Sequence, residues 1–160
     1  MSHGVLQVTI VEGRNLKDKD IVGKDDAYVE LYLEKDYKQR TKTVKDTNNP
    51  TWNETFTFNL RKHQDELHLH VYDDDVVGRD SIGSKTVNLK KHVFGKGPYD
   101  AWVKLPAHLG LGSHGELHVI IQHNHYEQIR REQKAKEHPS ADSVVVNSST
   151  PSGIYGKEIK

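Results

Sequence analysis

Two stretches of the chain crowd carboxylates around a pair of bare aliphatic residues. In VYDDDVVGRDSIG, residues 71–83, Asp73, Asp74 and Asp75 follow an apolar run, Val76 and Val77 come next, and Asp80 stands three residues beyond Val77. In LKDKDIVGKDDAYVEL, residues 16–31, Asp18, Asp20, Asp25 and Asp26 surround Ile21 and Val22. Carboxylates this close repel one another. Hard cations such as calcium take six to eight oxygen ligands, and loops converging from separate parts of a chain can supply most of that shell. One acidic run alone also reads as solubilising charge. Two runs that repeat one design favour a metal, and they leave the aliphatic pairs to be covered from outside the chain.

The elements that would carry these loops are short strands. Up to about residue 125 the chain shows period-two alternation broken by polar or glycine-containing turns, the pattern of an antiparallel sandwich. Leu6, Val8 and Ile10 share one face of the first strand. The triplets Val29, Leu31, Leu33; Phe56, Phe58, Leu60; Leu67, Leu69, Val71; and Leu117, Val119, Ile121 repeat the arrangement and should form the bulk of the core. From Tyr126 the alternation stops: YEQIRREQKAKE favours helix by propensity but offers little to pack, so a frayed helix or coil is expected. Beyond Pro139 the chain turns small and polar and is expected to be disordered. The division expected is a sandwich over 1–125 and a flexible tail over 126–160, the tail being a place where a protein partner could bind.

Composition narrows the function. The 160 residues carry 23 basic and 23 acidic side chains, so no whole-molecule field points to nucleic acid. There is no cysteine, which excludes disulfides and thiol chemistry and is compatible with a reducing cytosol. No window is long and apolar enough to span a bilayer, and neither a leader nor a lipidation signal is read, so any membrane contact should be reversible and made by the protein's own surface. The sequons at Asn53 and Asn147 then read as chance matches.

Four segments, LQVTIVEGRNL, DIVGKDDAYVEL, NNPTWNETFTF and LHLHVYDDD followed by DSIG, resemble in content and order the C2 domain family of calcium-dependent lipid-binding sandwiches. The resemblance covers nearly all of residues 4–123. It implies an all-β, eight-stranded antiparallel Greek-key sandwich. Type II connectivity is expected, because the chain opens on the strand that the other topology places second and still ends with a full strand, GELHVIIQH. The family's aspartate ligands carry over to Asp20 and Asp26 in the first loop and to Asp73, Asp75 and Asp80 in the third, for two or more calcium ions. Three features depart from the family pattern. The third loop is one residue shorter than the common form, and Asp25 and Ala27 flank Asp26 where serine or threonine and proline are usual.

The resemblance also implies a mechanism. Without metal the acidic rim is repelled by an anionic membrane; with calcium the rim is neutralised and lipid phosphate completes the coordination shell. Ile21, Val22, Val76 and Val77 can then enter the bilayer interface. In YKQRTKTV, Lys38, Arg40 and Lys42 alternate as if from one face of a strand, a stripe suited to anionic lipid, phosphoinositide included. The expectation is a monomeric cytoplasmic module, reversibly peripheral to membranes, that targets or adapts in signalling or membrane traffic.

Rival readings are weaker in the residues. GLGSHG, Gly110–Gly115, has a dinucleotide-like glycine spacing but precedes a strand with no helix behind it. No nucleophile elbow, P-loop or zincin motif is present, so an enzyme is not expected. His68 and His70, with His118, could hold zinc or copper, but no further ligands fall at a telling spacing. A calcium-independent protein-interaction module is the third reading.

Overall fold

The computed structural model describes residues 4–17, 23–106 and 113–137, with side chains omitted at 126–128. Eight strands follow one another: β1 (Gly4–Arg14), β2 (Ala27–Tyr32), β3 (Gln39–Arg40), β4 (Thr51–Leu60), β5 (Glu66–Asp74), β6 (Arg79–Asn88), β7 (Tyr99–Pro106) and β8 (Ser113–His125). A short helix α1 (Leu89–His92) joins β6 to β7, and α2 (Tyr126–Glu137) follows β8. The strands form two four-stranded antiparallel sheets in the orders β4-β1-β8-β7 and β3-β2-β5-β6. The last strand thus lies between the first and the seventh, which is the type II connectivity.

Alternation dictates the core. Leu6, Val8 and Ile10 of β1, Val29 and Leu31 of β2, Leu67, Leu69 and Val71 of β5, and Leu117, Val119 and Ile121 of β8 are all buried. Side chains at every second position meet between the sheets, while the intervening ones face outward. Phe56 and Leu33 are only half-buried, because they flank the core at its edge. Leu16, Ala27, Trp52, Phe58, Leu60, Ile82, Val87, Leu89, Val93, Val103 and Leu105 complete the core. Two of the strands, β3 and β6, lack a full apolar triplet, which is why hydrophobic periodicity passes them by; β7 carries one, Ala101, Val103 and Leu105, that sequence reasoning missed.

The Asn48-Asn49-Pro50 turn ties the ends of β1, β2 and β4 together. The Asn49 side chain accepts the Asn15 N–H at 3.0 Å, and the Asn48 side chain accepts the Asp25 N–H at 3.1 Å. The Asn48 and Pro50 carbonyls accept from Leu16 and Gly13 at 3.0 and 2.8 Å. Both flanks of the first acidic loop are therefore held by one turn. Trp52 seals the corner, its indole N–H donating to the Ala27 carbonyl at 3.3 Å.

Two units make up the chain, Met1–Asn124 and His125–Lys160. In the second, residues 126–137 form a twelve-residue α-helix. The tail expected to be disordered beyond Pro139 lies outside the described residues.

Gly115 provides a check on the packing beside the first loop. Its φ is +112°, and a Cβ there would lie 2.7 Å from the carbonyl oxygens of both Arg14 and Asn15. Both the backbone angle and the space demand glycine. Gly115→Ala is expected to lower the unfolding free energy by about 2–3 kcal/mol in urea titration.

Candidate metal-binding loops

The β2–β5 register brings the acidic segments together. Ala27 stands opposite Asp73 and Tyr28 opposite Tyr72, so Asp26 reaches the end of β5. The Asp73 carboxylate accepts the Asp26 N–H at 2.8 Å, and the Asp26 carbonyl accepts the Asp74 N–H at 2.8 Å. Asp26 itself is fixed by the loop between β3 and β4, through the Asp46 N–H at 2.7 Å. From the same loop, Thr43 donates its hydroxyl to Asp74 at 3.2 Å. Backbone and hydroxyl donors thus hold like-charged groups near one another and offset part of their repulsion.

Asp80 joins them through a bulge. Along β5 and β6, Val71 pairs with Gly83 but Tyr72 pairs with Ser81, leaving Ile82 as the extra residue. Ile82 turns into the core. One inserted residue shifts the pairing beyond it, so Asp80 stands opposite Asp73. Without the bulge Ser81 would take that place.

The β5–β6 connection is a tight hairpin. Asp75 donates its N–H to the Gly78 carbonyl at 3.2 Å, and Gly78 adopts φ +80°, a left-handed turn position that suits glycine. At the tip, Val76 and Val77 are 105 % and 90 % exposed. With Tyr37 they are the large apolar side chains exposed among the described residues. Asp20, Ile21 and Val22, and with them Asp18, lie outside the described residues. Among the described residues no three acidic or histidine side chains stand close enough to hold a metal by themselves.

The two departures beside Asp26 have a structural reason. Ala27 exchanges backbone hydrogen bonds with Val44, donating and accepting at 3.0 Å. Proline there would lose the donor. Asp25 is 4 % exposed, and its main chain is bonded to Asn48 and Thr47, so it belongs to the stem of the loop and not to its rim.

The basic stripe differs from its expected form. Strand β3 comprises Gln39–Arg40 alone, so Lys38 and Lys42 flank it and strand alternation does not order the three. Lys38 pairs with Glu30 at 3.3 Å, and Arg40 lies 3.5 Å over the Tyr28 ring while donating to Thr41 and Thr43. Lys42 is exposed, and its main-chain N–H donates to Glu54. Sequence reasoning missed the groups that organise this face. Arg79 donates to the Tyr28 hydroxyl at 3.0 Å and to Glu30 at 3.1 Å, and covers the Tyr72 ring at 3.7 Å. Burial pushes the Glu30 carboxyl up, but hydrogen bonds and charge from Arg79 and Lys38 outweigh it and hold Glu30 below the usual carboxylate range. Thr43, on a stretch read as a strand, and Asp46, given no role, were missed as well; their contacts depend on tertiary approach and leave no local signal.

The histidines do not converge. His68 and His70 face outward from β5, bonded to Thr86 and Ser81, whereas His118 faces outward from the other sheet, bonded to Asp100 at 2.6 Å. A shared site for the three is excluded by the sandwich between them. Desolvation holds His70 below the ordinary imidazole range, against the charge of Glu30.

The contrast between Asp73 and Asp75 is testable. Asp73 is 9 % exposed and accepts a backbone N–H, whereas Asp75 is exposed. Asp73→Ala strands the Asp26 donor and is expected to cost about 1–3 kcal/mol in metal-free protein. Asp75→Ala, relieving like charge, is expected to leave the melting temperature unchanged or raise it. Thermal denaturation in chelator compares the two.

Comparison with known proteins converges on one family. The family model described as "C2 domain" matches residues 4–105. Synaptotagmin-4 of Arabidopsis thaliana is 39% identical over 107 residues, which is 64% of this chain and 18% of that protein. A protein of the same plant named calcium-dependent lipid-binding protein is 36% identical over 81 residues, 50% of this chain and 16% of its own length. The chain therefore spans less than a fifth of either curated relative. The structure of a C2 domain of plant Extended Synaptotagmin 1 superposes with a TM-score of 0.68 at 26% identity, covering 79% of this chain and 98% of that one. With the sandwich, its connectivity and the family match over most of its length, the chain belongs to the C2 domain family.

Proposed function

We propose that this chain is a calcium-dependent module that docks on anionic phospholipid, acting without catalysis as a targeting or adaptor unit. The observation that carries the reading is the exposure of Val76 and Val77 at the tip of a hairpin flanked by Asp73, Asp75 and Asp80. Two aliphatic side chains fully in water, framed by carboxylates, make sense once the carboxylates are neutralised and the tip is buried in lipid. The relative named calcium-dependent lipid-binding protein supports the same reading.

The donor set fits a hard cation. Asp26, Asp73, Asp75 and Asp80 offer oxygen alone, and Asp26 and Asp73 are oriented by main-chain N–H groups. The remaining oxygens are assigned to the first loop, where Asp20 lies. Bound there, calcium supplies positive charge and open coordination positions for lipid phosphate. The residues do the rest. Asp26 and Asp73 hold the rim in shape, and Val76 and Val77, with Ile21 and Val22, enter the interface. Lys38, Arg40 and Lys42 are assigned to a second contact, with phosphoinositide, on the face beside β3. Among the described residues no helix is long and apolar enough to cross a membrane, and the proposed location is cytoplasmic and peripheral.

Pelleting with phosphatidylserine vesicles is the direct test: association in calcium and none in chelator. Val76→Ser with Val77→Ser is expected to leave calcium affinity in the absence of lipid unchanged while weakening vesicle binding roughly thirtyfold, about 2 kcal/mol for two partly buried aliphatic groups. Vesicle binding equal to that of the parent at every salt concentration would show that the tip stays in water.

Glu30 tests the second contact. It occupies Lys38 and Arg79 at once, so Glu30→Gln frees positive charge on that face. Affinity for phosphoinositide vesicles should rise about fivefold, and Lys38→Ala with Arg40→Ala should lower it by more than it lowers affinity for phosphatidylserine alone. Surface plasmon resonance on the two lipid compositions separates the effects.

A further inference from the structure

Across the β5–β6 hairpin, Arg79 stands directly opposite Asp74, and the next residue, Asp80, stands opposite Asp73. Opposite charges that face each other on neighbouring strands ordinarily pair. Arg79 pairs elsewhere. Its guanidinium donates to the Tyr28 hydroxyl at 3.0 Å and to Glu30 at 3.1 Å, and lies 3.7 Å over the Tyr72 ring. Glu30 faces His70 in the sheet, four residues back along β5 from Asp74, so the side chain leans down the strands and away from the acidic end. Asp74 is left to the Thr43 hydroxyl at 3.2 Å.

The groups that take Arg79 are themselves fixed. Tyr28 is buried, its ring stacked on Tyr72 at 5.5 Å and covered from the other side by Arg40. The Glu30 side chain is 12 % exposed and also pairs with Lys38 at 3.3 Å. Each contact alone is modest. Three at once hold the guanidinium in one geometry, and its planar fork loses little freedom in making them. Released, Arg79 has nearer partners: Asp74 across the hairpin and Asp80 beside it.

We infer that Arg79 is the rim's own competing cation, and that Tyr28, Glu30 and Tyr72 form a tether that holds it off the carboxylates and thereby sets their affinity for calcium. The inference rests on the proposed calcium reading. A guanidinium set between Asp74 and Asp80 would cancel part of the negative potential that draws a metal in, and the metal would have to displace it. Held back on the sheet face, the same charge leaves the carboxylates to the ion. Tyr28, Glu30 and Tyr72 ligate nothing; they are positioning residues that act through Arg79.

Tyr28→Phe keeps the ring beneath Arg40 and removes only the hydroxyl; combined with Glu30→Gln it opens both hydrogen bonds to Arg79. In metal-free full-length chain, the changes in melting temperature caused by Asp74→Asn and Arg79→Gln should add to within about 1 °C in the parent, and should fall short of additivity by about 3 °C in the released background, where the two side chains meet. Calorimetric titration without lipid should give a calcium Kd about tenfold higher for the released protein. Arg79→Gln added to it should restore the parent's Kd, whereas Lys38→Gln added to it, which gives the same net charge but leaves Arg79 at liberty, should not. Coupling already present in the parent, coupling absent after release, an unchanged Kd, or a Kd that follows net charge alone overturns the tether and leaves the calcium reading intact. A parent that binds no calcium overturns both.

Discussion

Gathering carboxylates at one end of a sandwich requires something to hold them there, and in this protein main-chain amides and one hydroxyl do it. The Asp26 N–H is donated to Asp73, the Asp46 N–H to Asp26, and the Thr43 hydroxyl to Asp74. Each bond supplies partial positive charge where a metal would supply whole charges. Two separate connections, β1–β2 and β3–β4, converge on the end of β5 to provide these donors, so the rim exists only if the strands behind it are in register. The geometry of β2 against β5 is thus a condition for the site as much as for the core.

The Asn48-Asn49-Pro50 turn serves the same end by different means. It takes no charge and faces no ligand, yet it bonds to Gly13, Asn15, Leu16 and Asp25, which bracket the first acidic loop. Trp52 then closes the corner from the core side. A loop whose stems are fixed in this way can vary in its tip without loss of the fold. On the other sheet, Tyr28 is 3 % exposed although it faces outward, because Arg40 and Arg79 lie across it and across its neighbour Tyr72. Cation–π stacking there stands in for aliphatic cover.

Much of this was legible in the residues. The alternation of β1, β2, β5 and β8 gave the core directly, and the position of Val76 and Val77 between aspartates gave the exposed tip. What stayed hidden has physical reasons. β3 is too short and β6 too irregular to show a period, and the stripe of Lys38, Arg40 and Lys42 reads as a strand face because alternating cations carry no information about strand length. Arg79 reads as a loop residue, whereas its partners Tyr28 and Glu30 lie far off in sequence. Asp46 shows no sign of its role, since it acts through its amide and any residue but proline has one. Asp20, Ile21 and Val22 lie outside the described residues, so the first half of the rim rests on the family pattern alone.

The bulge at Ile82 couples a side chain in the core to a charge on the rim. The hairpin has one residue more on β6 than a regular ladder needs, and that surplus could be stored at Ile82 or pushed out to the tip. Its location decides what faces Asp73: Asp80 in the first case, Ser81 in the second. Moving the surplus to the tip would set Ile82 opposite Tyr72 on the outer face of the sheet, exchanging a buried side chain for a wet one at a cost of about 2–3 kcal/mol. Isoleucine thus acts as a detent for the hairpin. A polar residue at that position would release it, and the rim could lose Asp80 while every carboxylate stayed in the sequence, so the identity of one apolar residue in the core carries information about a carboxylate two positions away.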